Sequence, residues 1–278
     1  TITVYVRGYW RKKKSNALSK NHQPAEPVIT LELNTIFNEC CLSTMQRIPS
    51  GLVDLAVTSP PYNMNLRVQN GKYVKRLNDR STTKYSGFSD DVPVEQFYEF
   101  HCQVLDELLR ISQIVFYNVG IVTGNKQAVF RMIGKYYDRL KEVIVWDKTT
   151  AQPAILEGLL NRQTELIFVF QQPDRAIKRT FEKRNFDRGT LSDLWQIPRQ
   201  RSVTPTHKAV FPEALVEKII TNFSDPGDLI YDPFMGTGTT AKVAMDHKRN
   251  FIGSEISQEY CEIASMRIFN GRSGRSAP

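Results

Sequence analysis

Short apolar runs of three to seven residues, bounded by proline, glycine, asparagine and aspartate, alternate along this chain with segments whose apolar residues recur at helical spacing. That alternation constrains the fold more than any other feature, because strands that read as nearly continuous apolar runs are buried on both faces. It predicts an α/β architecture, a sheet covered by helices on both sides. The predicted strands are Leu31 to Phe37, Leu52 to Thr58, Gln113 to Val119, Glu142 to Trp146, Glu165 to Phe170, Leu229 to Tyr231 and Phe251 to Gly253. In the predicted helix Val94 to Arg110, Phe97, Phe100, His101, Val104, Leu105 and Leu108 form one stripe. Further helices are predicted near Asn125 to Lys135, Pro212 to Asn222, Thr239 to His247 and Gln258 to Phe269.

With 278 residues, 41% of them hydrophobic and 24% charged, the chain can bury one large core, and its composition is neither disordered nor fibrous. No apolar stretch reaches the ~20 residues of a membrane span, and no secretory start is visible. Cys40, Cys41, Cys102 and Cys261 lack metal-ligand spacing and read as reduced thiols of an intracellular protein. Because the chain opens at Thr1 and not at a methionine, it reads as an excerpt or a processed product, and flanking domains are left open.

Residues 1–27, with Arg11-Lys12-Lys13-Lys14, read as a basic flexible tail in which Thr1 to Trp10 alternate enough for a strand. Residues 28–270 form the expected single domain, and 271–278 a disordered tail. Two stretches break the rhythm. Residues 63–93 read as a long basic loop, with Arg67, Lys72, Lys75, Arg76, Arg80 and Lys84 interleaved with Tyr73 and Tyr85. Residues 171–206 carry Arg175, Lys178, Arg179, Lys183, Arg184, Arg188, Arg199 and Arg201. Lysine plus arginine exceeds aspartate plus glutamate by 37 − 29 = 8. Two basic insertions on a basic chain point to a polyanionic partner.

The run Leu229-Ile230-Tyr231-Asp232-Pro233-Phe234-Met235-Gly236-Thr237-Gly238-Thr239-Thr240 passes from a strand through a glycine turn into a helix. Glycines let the backbone approach a ligand, and a helix start offers unpaired N–H groups. Glu255 follows one strand later, where a carboxylate can take both hydroxyls of a ribose. A nucleoside cofactor is expected, and nicotinamide dinucleotide less so, because the third glycine of that fingerprint is missing. A plain turn and a helix-capping Glu255 would use the same residues.

Thr58-Ser59-Pro60-Pro61-Tyr62-Asn63 closes another strand. Two prolines end the ladder and leave carbonyls at the strand's carboxyl edge, where open α/β sheets bind ligands. The Pro60 carbonyl and the Ser59 hydroxyl can accept an exocyclic amine, and Tyr62 can stack on a flat heterocycle. A rigid turn with no ligand reads equally well from this motif alone.

As a pair, the two motifs resemble the beta-ordered group of amino-methylating DNA methyltransferases, in which the base-side motif precedes the cofactor-side motif. The resemblance covers residues 31 to 269, including His207-Lys208-Ala209-Val210-Phe211-Pro212. It implies a Rossmann-like methyltransferase sheet, mostly parallel with an antiparallel edge strand, in circularly permuted motif order. It implies S-adenosylmethionine as cofactor and double-stranded DNA as partner, leaves a homodimer open, and makes 171–206 the candidate target-recognition segment. By that resemblance Asp232, Gly236 and Gly238 would shape the pocket for the cofactor's methionine part, and Pro233, Phe234 and Thr239 would be among the cofactor-binding residues. Glu255 would hold the ribose, and Glu39 and Phe211 would flank the adenine. The family usually has Gly-Asp where this chain has Asn38-Glu39.

Methylation at carbon 5 of cytosine needs a thiolate, normally in a Pro-Cys pair, and no cysteine here follows a proline. Direct attack by an exocyclic nitrogen needs alignment and hydrogen-bond acceptors, which Ser59, Pro60, Pro61 and Tyr62 can supply after base flipping. Serine before Pro-Pro-Tyr favours cytosine N4 over adenine N6 within the family. A non-catalytic methyltransferase-like subunit and an RNA or protein-amide methyltransferase are the alternatives. His22, His101 and His247 read as structural, Trp195 as a packing anchor, and Asp147 and Lys148 receive no role.

Overall fold

The computed structural model describes residues 2–4, 29–63, 67–69, 72–74, 82–83, 92–152, 157–200 and 211–270. Most of the expected tail 1–27, all of 271–278, and 201–210 with the start of the His207 to Pro212 element lie outside the described residues.

In chain order the elements are β1 (Ile2–Val4), β2 (Ile29–Leu31), β3 (Thr35–Phe37), α1 (Cys41–Arg47), β4 (Leu55–Thr58), β5 (Arg67–Gln69), β6 (Lys72–Val74) and β7 (Thr82–Thr83). There follow α2 (Val94–Ile111), β8 (Val115–Val119), α3 (Lys126–Lys135), β9 (Leu140–Gln152), β10 (Arg162–Phe170), α4 (Pro173–Ala176) and β11 (Leu194–Gln196). The last are α5 (Glu213–Phe223), β12 (Leu229–Asp232), α6 (Thr239–Asp246), β13 (Asn250–Ser254) and α7 (Gln258–Asn270).

Eight strands form the main sheet in the order β11-β9-β10-β8-β4-β12-β13-β3. All run parallel except β10, which is antiparallel to both β8 and β9. The antiparallel strand therefore lies inside the sheet and not at its edge, because β9 returns beyond it and β11 adds outside β9. Side chains alternate between two cores, as the period of a strand requires. Ala56, Val115, Tyr117, Phe168 and Tyr231 face the layer of α1, α2 and α3. Leu55, Val57, Phe116, Ile167 and Ile230 face α5, α6 and α7. Burying each large apolar side chain contributes roughly 1.5–3 kcal/mol, against a few tenths for most helix propensities, so these two faces decide the fold.

One expectation changes, and two are met. The segment 63–93 is not wholly a loop, since β5, β6 and β7 pair there as a small antiparallel sheet. The strand that the alternation of Thr1 to Trp10 allows forms at Ile2 to Val4, which pairs with β2. Trp195, the expected packing anchor, is fully buried, and Phe181, Phe186 and Leu191 of the segment 171–206 pack on the second core.

Candidate active site

Strands β4 and β12 are hydrogen-bonded parallel neighbours, with Leu55 opposite Ile230 and Ala56 opposite Tyr231. The Ser-Pro-Pro-Tyr corner leaves the carboxyl end of one, and the glycine turn leaves the carboxyl end of the other. Segments 173 residues apart thus start from strands roughly 4.8 Å apart. From β4 the chain crosses through α2 to β8 on one side, while β12 lies on the other side and leads outward to β13. The two corners flank a topological switch point, the place where open α/β sheets bind ligands.

At the first corner Pro60 is buried, and Ser59, Pro61 and Tyr62 are half-buried. The Ser59 and Tyr62 hydroxyls lie 3.0 Å apart, and Tyr62 donates to Glu165 Oε2 at 2.7 Å. Asn118, on β8, turns its Nδ2 toward Ser59 Oγ, Tyr62 Oη and Glu165 Oε2. Asn63, at a left-handed φ of 55°, closes the corner behind them by donating its Nδ2 to the Val92 and Gly124 carbonyls.

At the second corner Asp232 is buried, accepting from Thr240 Oγ1 at 2.6 Å and from the Phe234 N–H at 3.0 Å. Burial pushes its carboxyl up to about 6, although those two hydrogen bonds favour the ionised form. Asp232 ties the turn to the first turn of α6, and Pro233 is buried beside it. Gly236, at φ +54°, donates its N–H to Glu255 Oε2 at 2.8 Å, while Ser257 N–H meets Glu255 Oε1 at 2.9 Å. Burial raises the Glu255 carboxyl above its ordinary range, and these backbone donors oppose that shift. Phe234 is half-buried against the rings of Phe100 and His101. Thr239 is buried at the start of α6, 3.5 Å from Arg267 Nη1.

Glu39 follows β3 on the same sheet edge. Its carboxylate is bound by Thr44 Oγ1 at 2.6 Å and by both terminal nitrogens of Arg47, and the Arg47 bonds hold it below the usual range. The adjoining Asn38 donates to the carbonyls of Glu255 and Ile256, which draws this loop against Glu255. Phe211 precedes α5 and packs on the second core. Asn118, Glu165 and Lys148 were not singled out as site residues in the sequence. The one available signal was Asn118, an amide inside an apolar strand.

A model of the DNA methylase family, which unites N6 and N4 methyltransferases, matches residues 53–266. The chain belongs to that family. This DNA methylase is 27% identical to the type II methyltransferase M.BglII of Bacillus subtilis, over 86% of its own length and 69% of that protein. It is 29% identical to the orphan methyltransferase M.BamHII of Bacillus amyloliquefaciens, over 78% and 89%. Its fold matches the cytosine-N4-specific PvuII DNA methyltransferase with a TM-score of 0.63 at 17% identity, over 84% and 86% of the two chains. The M1.HpyAVI–SAM complex matches with a TM-score of 0.56 at 20% identity, over 84% and 98%.

The second corner fits a nucleoside cofactor on its own chemistry. Glu255 is a mostly buried carboxylate whose two oxygens each receive one backbone N–H. Each oxygen keeps a lone pair for a hydroxyl. Among the described residues no group of histidine, cysteine, aspartate and glutamate is placed to hold a metal ion. No described helix is long and apolar enough to cross a membrane.

Proposed function

We propose that this DNA methyltransferase moves the methyl group of S-adenosylmethionine to the exocyclic N4 of cytosine in DNA, after the base has been rotated out of the duplex. The observation that carries the proposal is the start of both corners from adjacent parallel strands, with a neutral serine ahead of Pro-Pro-Tyr.

In this reading Glu255 binds the ribose hydroxyls, and Gly236 and Phe234 border the rest of the cofactor. Asp232 and Thr239 hold the turn in shape, with Pro233 and Gly238 in its frame. Glu39 and Phe211 border the adenine side, Glu39 through the loop that Arg47 and Thr44 brace. When bound, the cofactor supplies a methyl group on a positively charged sulfur. Ser59 Oγ and the Pro60 carbonyl accept the two N–H groups of the target amine and turn its lone pair toward the cofactor side. Pro60 and Pro61 have no N–H to compete for those acceptors, and they stiffen the corner. Tyr62 stacks on the base, which the duplex conceals until it is flipped. Rate is gained by alignment and fixed acceptors, and no protein nucleophile is required.

The test is transfer of a labelled methyl group to duplex DNA, followed by digestion to nucleosides and mass-resolved chromatography. N4-methylcytosine is expected. N6-methyladenine would reassign the base, and an unlabelled DNA with label on RNA would reassign the substrate.

A further inference from the structure

Behind the Ser-Pro-Pro-Tyr corner a buried polar network crosses β8, β10 and β9. Tyr62 Oη meets Glu165 Oε2 at 2.7 Å, and the other carboxylate oxygen, Oε1, accepts from Lys148 Nζ at 3.1 Å. The lysine and glutamate side chains are 6% and 15% exposed. Asn118, 1% exposed, donates to Tyr62 Oη at 2.7 Å and to Glu165 Oε2 at 2.9 Å, and its own Oδ1 is buried with no hydrogen-bond partner. An amide oriented for its own pairing would not leave that oxygen unmet. It is oriented by the carboxylate.

The hydrogens in this network can be counted. A carboxylate only accepts, so the one hydroxyl hydrogen of Tyr62 points at Glu165. In the 3.0 Å contact between the Ser59 and Tyr62 hydroxyls, Ser59 is then the donor. The two Asn118 amide hydrogens go to the shorter contacts with Tyr62 and Glu165, so with its own hydrogen directed at Tyr62, Ser59 Oγ, 3.3 Å from Asn118 Nδ2, presents its lone pairs to whatever enters the cleft.

We propose that Glu165, held by Lys148, is a positioning residue that fixes the direction of the chain Ser59 to Tyr62 to Glu165 and thereby makes a neutral serine an acceptor for the target amine. This rests on the amine-methylating reading above.

The surroundings are built for the arrangement. Lys148 lies beside Thr149, a β-branched residue at φ +62°, and the pairing of β9 with β10 shifts register between Arg162 and Thr164. Such bulges re-aim side chains next to active sites. Asp147 braces this one, accepting from Thr149 N–H at 2.8 Å, Gln163 Nε2 at 2.8 Å and Gln196 Nε2 at 3.2 Å. Gly120, just past β8, admits the Tyr62 ring, since a Cβ there would sit 2.9 Å from Tyr62 Cε2. A buried ion pair is weak support for stability but a strong constraint on orientation.

The experiment compares steady-state methylation of duplex DNA by the wild-type enzyme, Glu165→Gln, Tyr62→Phe and the double variant. A glutamine can turn its Nε2 toward Tyr62 Oη, which reverses the chain and points the Ser59 hydrogen into the cleft. The expected result is a kcat lower by about one to two orders of magnitude in Glu165→Gln, with the KM for DNA and the cofactor Kd close to wild type. Tyr62→Phe, which keeps the ring and frees Ser59, should show the same kcat-selective loss. The double variant should be no slower than Tyr62→Phe alone, because both changes break one chain. A wild-type rate in Glu165→Gln, or losses that multiply in the double variant, overturns the inference. Should Glu165→Gln fail to fold, Tyr62→Phe decides, a wild-type kcat counting against the inference. A wild-type enzyme that methylates no amine overturns the proposed function, and this inference with it.

Discussion

Gly238 sits at φ +82°, and a Cβ built on it would lie 2.8 Å from the Cβ of Ala264 and 3.0 Å from its Cα. The close approach of α6 to α7 therefore demands glycine here, whatever lies in the cleft. Gly238→Ala should lower stability by about 1–3 kcal/mol through the forced contact and the strained backbone. Ala264→Gly in that background should recover part of the loss, the contact but not the strain. Thermal unfolding of the three variants checks this. A Gly238→Ala protein of unchanged Tm that no longer binds cofactor would make Gly238 a ligand contact instead. The glycine was legible in the sequence, and its reason was not, because Ala264 is 26 positions away. A greater distance in sequence hid Glu165 and Lys148: Glu165 reads as the first residue of a strand, and nothing local says that its carboxylate reaches Tyr62, 103 positions away.

At the scale of elements, α2 is tied to β8 through His101, whose Nδ1 meets the Tyr117 hydroxyl in a short hydrogen bond inside the first core. Burial holds the His101 imidazole down to about 3. Below pH ~6.5 the unfolded chain takes up a proton at this residue that the folded chain refuses, so the folded state loses stability as pH falls. The slope from this one group is at most roughly 1.4 kcal/mol per pH unit. His101→Gln keeps a hydrogen-bonding group for Tyr117 but does not titrate. The Tm advantage of wild type over the variant should shrink steadily from pH 7 to pH 4, and a constant difference would mean that His101 takes up its proton in the fold as readily as in the unfolded chain. The helix α2 and strand β8 were legible because an apolar stripe along an eighteen-residue helix and a five-residue strand interrupted only by Asn118 are strong patterns. Helix α1 has seven residues and strand β11 three, too few for a period to declare itself, and tertiary packing decides both. Strand β9 runs to Gln152, past its predicted end at Trp146, since Asp147 and Gln152 still pair across the hairpin with Thr164 and Arg162 of β10.

At the scale of the whole molecule, basic side chains among the described residues lie at both edges of the sheet. Lys183 bonds Asp54 and Asp228, the residues immediately before β4 and β12, and Arg175 bonds Gln113 just before β8. This part of 171–206 lies at the amino edge, opposite the Ser-Pro-Pro-Tyr corner, so a target-recognition role spanning the entire segment does not fit. The sequence showed its charge but not its edge, which depends on where the chain folds back. Arg199 donates to the Thr150 carbonyl, and Arg162 to the Ile121 carbonyl, both on the carboxyl edge where the two corners open. If DNA lies across that edge, each phosphate contact there releases counterions and adds about one to the slope of log affinity against log salt. Arg199→Gln should weaken DNA binding for all sequences alike and reduce that slope by about one. Lys183→Gln, which removes an equal charge from the other edge, should leave the slope unchanged and lower the Tm by uncoupling Asp54 from Asp228. Binding measured across a salt series separates the two outcomes: equal slopes for both variants would mean that charge acts through the net field, and a reduced slope for Lys183→Gln alone would place the DNA on the amino edge.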